Sequence, residues 1–308
     1  MRYVFFINSA AGKYQSNRDA VINGINDYFS KNGGQYDIHI TRFANDARDT
    51  ARALAQTGEE ITMFACGGEG TCFEILNGIY GYGNVTLGVI PCGSANDFLK
   101  FFGDEKDAFR NIENQISGES IDMDVIKAGE FYCLNGCSFG MDAFVAQDMS
   151  LFKNWPLVTG PIAYKLAIVR NFLRKIGTNA EITLNDSEII KTNCLFAVVA
   201  NAPYYGGGFM AAPDAVPYDG KLNFTLVKTI SKLRVPKFLS YYEKGKHANL
   251  DYCRLCECNS MEFKADCVVP INLDGEIIRR DSMRFEIIKA GVKFQIPASV
   301  KMKILTNV

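Results

Sequence analysis

Histidine and tryptophan are nearly missing from this chain, and long apolar runs are missing altogether. Two histidines, His39 and His247, and one tryptophan among 308 residues leave little material for Ser-His or Cys-His chemistry. A membrane-spanning helix needs about 20 predominantly apolar residues, and Leu195–Ala200 with its flanks falls far short. The start, Met1 to Asn8, holds an apolar run too short for a secretory signal. Ten cysteines are too thinly spread for a disulfide scaffold, and without a signal they read as reduced thiols of a cytoplasmic protein. Neither charge is in excess: 33 Lys plus Arg against 34 Asp plus Glu leaves −1. That argues against a nucleic-acid partner held by phosphate neutralisation.

What is present is an ordinary globular mix, 48% hydrophobic and 22% charged. The length suits two domains at roughly 100–200 residues each. Charge is split along the chain. Residues 1–125 carry 10 Lys/Arg and 17 Asp/Glu, a net of −7, and residues 126–308 carry 23 and 17, a net of +6. Such asymmetry points to a polyanionic or membrane partner for the basic half.

The first third alternates strands and helices. Tyr3–Ile7, Tyr36–Ile40, Ile61–Ala65 and Val85–Ile90 read as strands. A helix starts near Ser16 and ends at Gly33-Gly34, and Asp46–Gln56 and Phe73–Ile79 read as two more. This rhythm predicts a doubly wound, mostly parallel sheet, with ligands beyond the carboxyl ends of its strands. From Ile121 onward short strands dominate, which predicts a β-sandwich. Helices over residues 162–176, bracketed by Pro161 and Gly177, and over Val235–Tyr242 interrupt it. The expected domains are 1–125 and 126–308, with a tail at about 296–308 that could return to the first.

Two glycine-rich loops follow strands. Cys66-Gly67-Gly68-Glu69-Gly70-Thr71 permits a tight turn and close backbone approach. The helix behind it offers free N–H groups to a phosphate, and Glu69 could hold Mg²⁺. Pro91-Cys92-Gly93-Ser94-Ala95-Asn96-Asp97 is similar, with hydrogen-bonding side chains at Ser94 and Asn96. Plain capped turns without a ligand are the competing reading. Asn8-Ser9-Ala10-Ala11-Gly12-Lys13 is no P-loop: its first glycine is absent and Tyr14 stands where Ser or Thr is required.

With these motifs the chain resembles the diacylglycerol kinase catalytic-domain family of bacterial lipid kinases and sphingosine and ceramide kinases. The family's Asn-Pro-x-x-Gly start corresponds to Asn8 to Gly12, with Ser9 in place of Pro. Its Gly-Gly-Asp-Gly-Thr signature corresponds to Gly67-Gly68-Glu69-Gly70-Thr71, and its Pro-x-Gly-Thr-x-Asn-Asp stretch to Pro91 through Asp97. Asn135 through Ala143, Asn201 through Pro213, Asp219 through Leu222, Lys244 through His247 and Leu273 through Glu276 follow in the family's order.

The resemblance implies a phosphofructokinase-like nucleotide-binding α/β domain, a β-sandwich domain for a lipid substrate, and a site in the cleft between them. It implies ATP with Mg²⁺ as donor and a hydroxyl of a diacylglycerol-like lipid as acceptor. Asn8, Thr41, Gly67, Gly68, Gly70, Thr71, Gly93, Ser94 and Asn96 fall at nucleotide-binding positions. Asp274 and Glu276 fall at the catalytic acidic pair, Asp274 as base and Glu276 assisting, with Glu69 a further catalytic and metal candidate. Asp219 is the candidate for a structural Mg²⁺. For Leu273 to Glu276 alone, a solvated Asp-Gly hairpin turn competes.

Glu69 departs from the family's Asp by one methylene, roughly 1.5 Å. That leaves open a kinase whose pocket fits Glu or a nucleotide- or lipid-binding homologue with low or lost turnover; NAD kinase, whose loop resembles this Gly-Gly-x-Gly-Thr turn, is a third reading. Residues 151–176 hold Lys153, Lys165, Arg170, Arg174 and Lys175, Trp155 and no acid. This segment is the candidate for peripheral contact with an anionic membrane; a helix packed on the second domain competes. Cys253, Cys256 and Cys258 read as buried free thiols on a strand rather than a zinc site, and His247 as structural. A homodimer is left open.

Overall fold

The computed structural model describes residues 1–8, 15–92, 96–152, 166–167, 170–171 and 177–300, with the side chains of residues 15–17 and 149–150 set aside. The loop residues Gly93 and Ser94 and most of the helix expected over 162–176 lie outside these residues. The chain divides into two compact units. One is Met1–Val125 together with the chain from Lys289 onward, and the other is Ile126–Ile288. The return to the first unit thus begins at Lys289 rather than at about 296.

In the first unit, strands β1 (Arg2–Asn8), β2 (Gln35–Thr41), β3 (Ile61–Gly67) and β4 (Val85–Pro91) pair in parallel in the order β2-β1-β3-β4. β1 and β3 are central and covered on both faces, which is why Val4–Ile7 and Ile61–Cys66 are unbroken buried runs. Phe5, Ile7, Phe64, Cys66 and Ile90 meet Ile25 and Phe29 of helix α1 (Gln15–Asn32) in one core cluster. α1 stops at Gly33, whose φ of 68° suits a left-handed cap, its N–H donating to Phe29 O at 2.9 Å. Helices α2 (Asp46–Ala55) and α3 (Glu69–Ile79) pack closely on each other. A Cβ at Gly78 would lie 2.4 Å from Arg48 O, so only glycine permits that approach. After β4 comes a 3-10 stretch, Phe98–Arg110, then the short α4 (Ile112–Ile116).

The second unit is β-sandwich-like and mostly antiparallel. β5 (Glu119–Ala128) leads into it and pairs with β6 (Phe131–Cys133). β7 (Gly136–Gly140) runs straight into helix α5 (Met141–Phe152), neither of which the sequence pattern predicts as an element. β8 (Thr178–Leu184) and β9 (Glu188–Ala200) form a hairpin, and β10 (Tyr204–Tyr205) and β11 (Phe209–Met210) a small one over Gly206-Gly207-Gly208. β12 (Leu222–Lys228), helix α6 (Val235–Glu243) and β13 (Cys253–Cys258) follow.

Two strands are far longer than their apolar patterns: β14 (Ser260–Leu273) and β15 (Glu276–Ile296). Their hairpin turns on Asp274 and Gly275, with φ of 48° and 96° and Leu273 opposite Glu276. That is the mirror-image two-residue turn that Asp-Gly favours. The end of β15 carries the chain back to the first unit, where Lys293 and Phe294 pair in parallel with Thr86 and Leu87 of β4.

Candidate functional site

The first unit's strands end level. Asn8 lies opposite Thr41, Ile7 opposite Cys66, and Gly67 opposite Pro91. The register therefore gathers the ends of four strands, which is where open parallel sheets bind ligands. Asn8 Nδ2 donates to Thr71 Oγ1 at 3.3 Å, and Asn96 Nδ2 donates to Gly67 O at 3.4 Å. A Cβ on Gly67 would sit 2.6 Å from Thr71 Oγ1, so the strand-to-helix turn has no room for a side chain. Gly68 caps α3, and Glu69, Gly70 and Thr71 form its first turn. The amide groups of such a turn have no intrahelical partner and suit an anion.

Glu69 Oε1 accepts the Asp97 N–H at 2.9 Å, tying the two loops together. Asp97 is buried and accepts a charged hydrogen bond from Lys100 Nζ at 2.5 Å. It joins the candidate site through Glu69, a contact that the sequence reading passed over. Its only signal was its place beside Asn96 in the second motif. Thr41 and Thr71 are both buried at this edge. A cavity of about 520 Å³ opens beside Pro91 and Cys92, with Lys31 and Arg110 on its wall.

The acidic pair sits in the second unit. Asp274 is buried, and both carboxylate oxygens are engaged. Oδ2 accepts from Leu134 N–H at 2.6 Å, and Oδ1 from Asn135 and Gly136 N–H at 3.1 and 2.7 Å. The Asp274 N–H returns a bond to Gly136 O at 3.1 Å. Burial pushes its carboxyl up to about 6, against the pull of the Gly136, Leu134 and Asn135 amides. The hairpin is as expected, but its aspartate is not solvated. Glu276, two residues on at the start of β15, is exposed.

A second buried polar group adjoins this turn. Ser138 of β7 lies opposite Asn272 of β14. Ser138 Oγ donates to Asp142 Oδ2 at 2.6 Å, Tyr205 OH donates to the same oxygen at 2.7 Å, and Asn272 Nδ2 donates to Tyr205 OH at 2.6 Å. Burial raises the Asp142 carboxyl, opposed by the Ser138 and Tyr205 hydroxyls. Asn135 Nδ2 reaches Tyr204 O at 3.0 Å. The network thus joins the Asp274 cradle to the Gly206–Gly208 hairpin. Three of the quoted motifs meet here, although nothing in their spacing assigned Tyr205 or Asp142 a role.

Asp219 lies in a turn and accepts the Lys221 N–H at 2.9 Å. Among the described residues no three His, Cys, Asp or Glu side chains come together for a metal ion. The fit of Mg²⁺ at Glu69 or Asp219 therefore depends on oxygens from a ligand, backbone or water, as hard cations accept. Cys253, Cys256 and Cys258 are free thiols, but only Cys258 is buried; Cys253 and Cys256 are half-buried, because their strand stands at the end of the sheet order. His247 is fully buried and structural in its contacts, its Nε2 lying 3.2 Å from Ala211 O.

Fold and strand ends together define a class: an α/β catalytic domain followed by a β-sandwich-like domain. The family described as "Diacylglycerol kinase catalytic domain" matches residues 2–128, and "YegS C-terminal NAD kinase beta sandwich-like domain" matches residues 135–294. The chain belongs to this family of lipid and diacylglycerol kinases. It is 28% identical over 236 residues to "Probable lipid kinase YegS-like" of Shewanella frigidimarina, covering 75% of each chain. It is 25% identical over 250 residues to "Diacylglycerol kinase" of Bacillus subtilis, covering 80% of this chain and 81% of that one.

A solved diacylglycerol kinase from Bacillus anthracis shares the fold at TM-score 0.70 and 18% identity, over 97% of this chain and 98% of that chain. An NAD kinase from Archaeoglobus fulgidus, solved with ATP, shares it more distantly, at TM-score 0.53 and 10% identity over 99% and 98%. No helix among the described residues is long and apolar enough to cross a membrane.

Proposed function

We propose that this chain is an ATP- and Mg²⁺-dependent lipid kinase that transfers the γ-phosphoryl group to a hydroxyl of a diacylglycerol-like lipid. The observation that carries the reading is the set of Asn8, Thr41, Gly67, Thr71 and Asn96 at four level strand ends, around a helix start with no room for a Cβ. Phosphoryl transfer asks mainly for positioning and for stabilisation of charge, and α3's first-turn amides and the Asn8–Thr71 pair supply positions for phosphate oxygens. Bound Mg²⁺ would neutralise charge on the transferring group, with Glu69 as the chain's carboxylate toward it.

The acidic pair divides its work. Asp274 holds the hairpin and the 134–136 backbone, while exposed Glu276 takes the proton of the acceptor hydroxyl. This reverses the expected assignment of Asp274 as base and Glu276 as assistant, and it rests on the three amides that occupy Asp274. The Glu69–Asp97 hydrogen bond favours a pocket fitted to Glu over one impaired by it.

Incubation with labelled ATP, Mg²⁺ and a panel of lipids tests the proposal, with NAD as a further acceptor. Label is expected in diacylglycerol or a close analogue. No labelled lipid of any class, with active controls, would reject it, and labelled NADP would replace it with NAD kinase.

A further inference from the structure

Outside both candidate sites, the second unit presents a cationic face on the segment Ser231–Lys246. Val235, Phe238 and Tyr242 of α6 are buried in the same core cluster, with Leu239 packed against it. This spacing of three and four residues anchors one face of the helix. The other face is Arg234, Pro236, Lys237, Ser240, Tyr241, Glu243 and Lys244, all exposed, five of them basic or apolar against the single acid Glu243. Leu233, on the turn just before the helix, is 90% exposed, and Tyr241 is 37% exposed. Lys237 and Tyr241 fall four residues apart on the helix and so share one stripe, with exposed Leu233 on the turn that leads into it. Lys237 Nζ sits 6.0 Å from the Tyr241 ring centroid.

Lys232, Arg234, Lys237, Lys244 and Lys246 face Glu243 of the same segment and Asp251 of the neighbouring turn as the only acids nearby in sequence. Among the described residues Arg234, Lys237, Lys244 and Lys246 enter no ion pair. Elsewhere on this unit Lys191, Lys221, Arg254, Arg280 and Arg284 are each paired with an acid, and the exposed cations without an ion pair among the described residues, Lys228, Lys264 and Arg279, are not gathered on one short segment. A run of cations around a nearly fully exposed leucine and a ring at the end of a stripe is the composition of a surface that rests on anionic headgroups. The apolar side chains enter the interface, and the lysines and arginine stay at headgroup level.

We infer that residues 231–246 dock this protein on an anionic lipid bilayer, with Leu233 and Tyr241 entering the interface and Arg234, Lys237 and Lys244 on the headgroups. The inference deepens the proposed function, because it supplies a route to a membrane-resident acceptor, and it rests on that reading.

The test is sedimentation of the full chain with phosphatidylcholine vesicles, with and without phosphatidylglycerol, at low and high salt. Binding is expected only to anionic vesicles and is expected to weaken with salt. Each cation removed is expected to weaken binding about fivefold, so Lys237→Ala with Lys244→Ala about 25-fold. Leu233→Ser is expected to weaken it about tenfold through lost apolar insertion. Lys191→Ala, at an exposed ion pair of the same unit, serves as the control and should leave binding unchanged.

Equal binding to neutral vesicles, indifference to salt, or unaltered binding by the Leu233 and lysine variants would overturn the proposal. The same variants are expected to keep wild-type turnover on lipid dispersed in detergent. No turnover there in any chain would instead sink the kinase reading while leaving vesicle binding readable.

Discussion

Two carboxylates at glycine turns, Glu69 and Asp274, meet opposite surroundings. Glu69 follows Gly68 at the first turn of a helix, half-buried, where one oxygen spans to the Asp97 amide. Asp274 precedes Gly275 in a hairpin, buried, with three amides on its two oxygens. A motif reads both as acidic residues of a site. What separates them is donor supply: a helix start keeps unpaired N–H groups aimed outward at a ligand, whereas the 134–136 backbone spends its N–H groups on Asp274. The first arrangement leaves room for substrate chemistry, and the second fixes backbone.

The sharpest way to break this comparison is Glu276→Gln. If the exposed member is the base, kcat should fall on the order of 1000-fold, while urea unfolding stays within about 0.5 kcal/mol of wild type. Glu69→Asp comes next. Its shortened side chain should lose the Asp97 amide and slow turnover by about 100-fold, measured with Mg-ATP at saturation. A gain in rate would show instead that Glu impairs this enzyme.

Asp274→Ala should act through stability, by about 3 kcal/mol in urea unfolding, since it strands buried amides. Wild-type stability retained in that variant would remove the structural role proposed for Asp274. The same carboxyl links stability to pH. Its folded pKa, pushed up to about 6, lies above its ordinary 3.8, so the folded state binds the proton more tightly. The proton-linked part of its contribution is full below about pH 4 and is lost as pH rises through about 6, while the bonds to the three amides persist. The difference in melting temperature between wild type and Asp274→Ala, followed across that window, should shrink toward neutral pH. The smallest effect is expected from Tyr205→Phe, which removes a hydroxyl shared by Asp142 and Asn272. It should cost about 1 kcal/mol by thermal unfolding.

Much of the α/β unit was legible in the chain. Val4–Ile7 and, but for Thr62, Ile61–Ala65 are apolar because their strands are covered on both faces, and glycine punctuation marked the turns. The second unit was harder. β14 and β15 carry polar residues such as Glu262, Lys264, Arg279 and Arg280 on solvent faces, so only fragments of them showed as strands. α5 was hidden because it follows β7 with no capping residue between, at Gly140, whose φ of 96° turns the chain.

Sequence alone determined the order of motifs, the parallel-sheet rhythm and the Asp-Gly hairpin, because each rests on neighbours a few residues apart. Only the tertiary structure decided which acids are locked. The donors on Asp274 lie some 140 residues earlier in the chain, and the Glu69–Asp97 and Asn8–Thr71 bonds span 28 and 63 residues. Composition and periodicity carry no information about which distant amide a carboxylate will meet. That is set by strand register, which places Ser138 beside Asn272 and Asn8 beside Thr41.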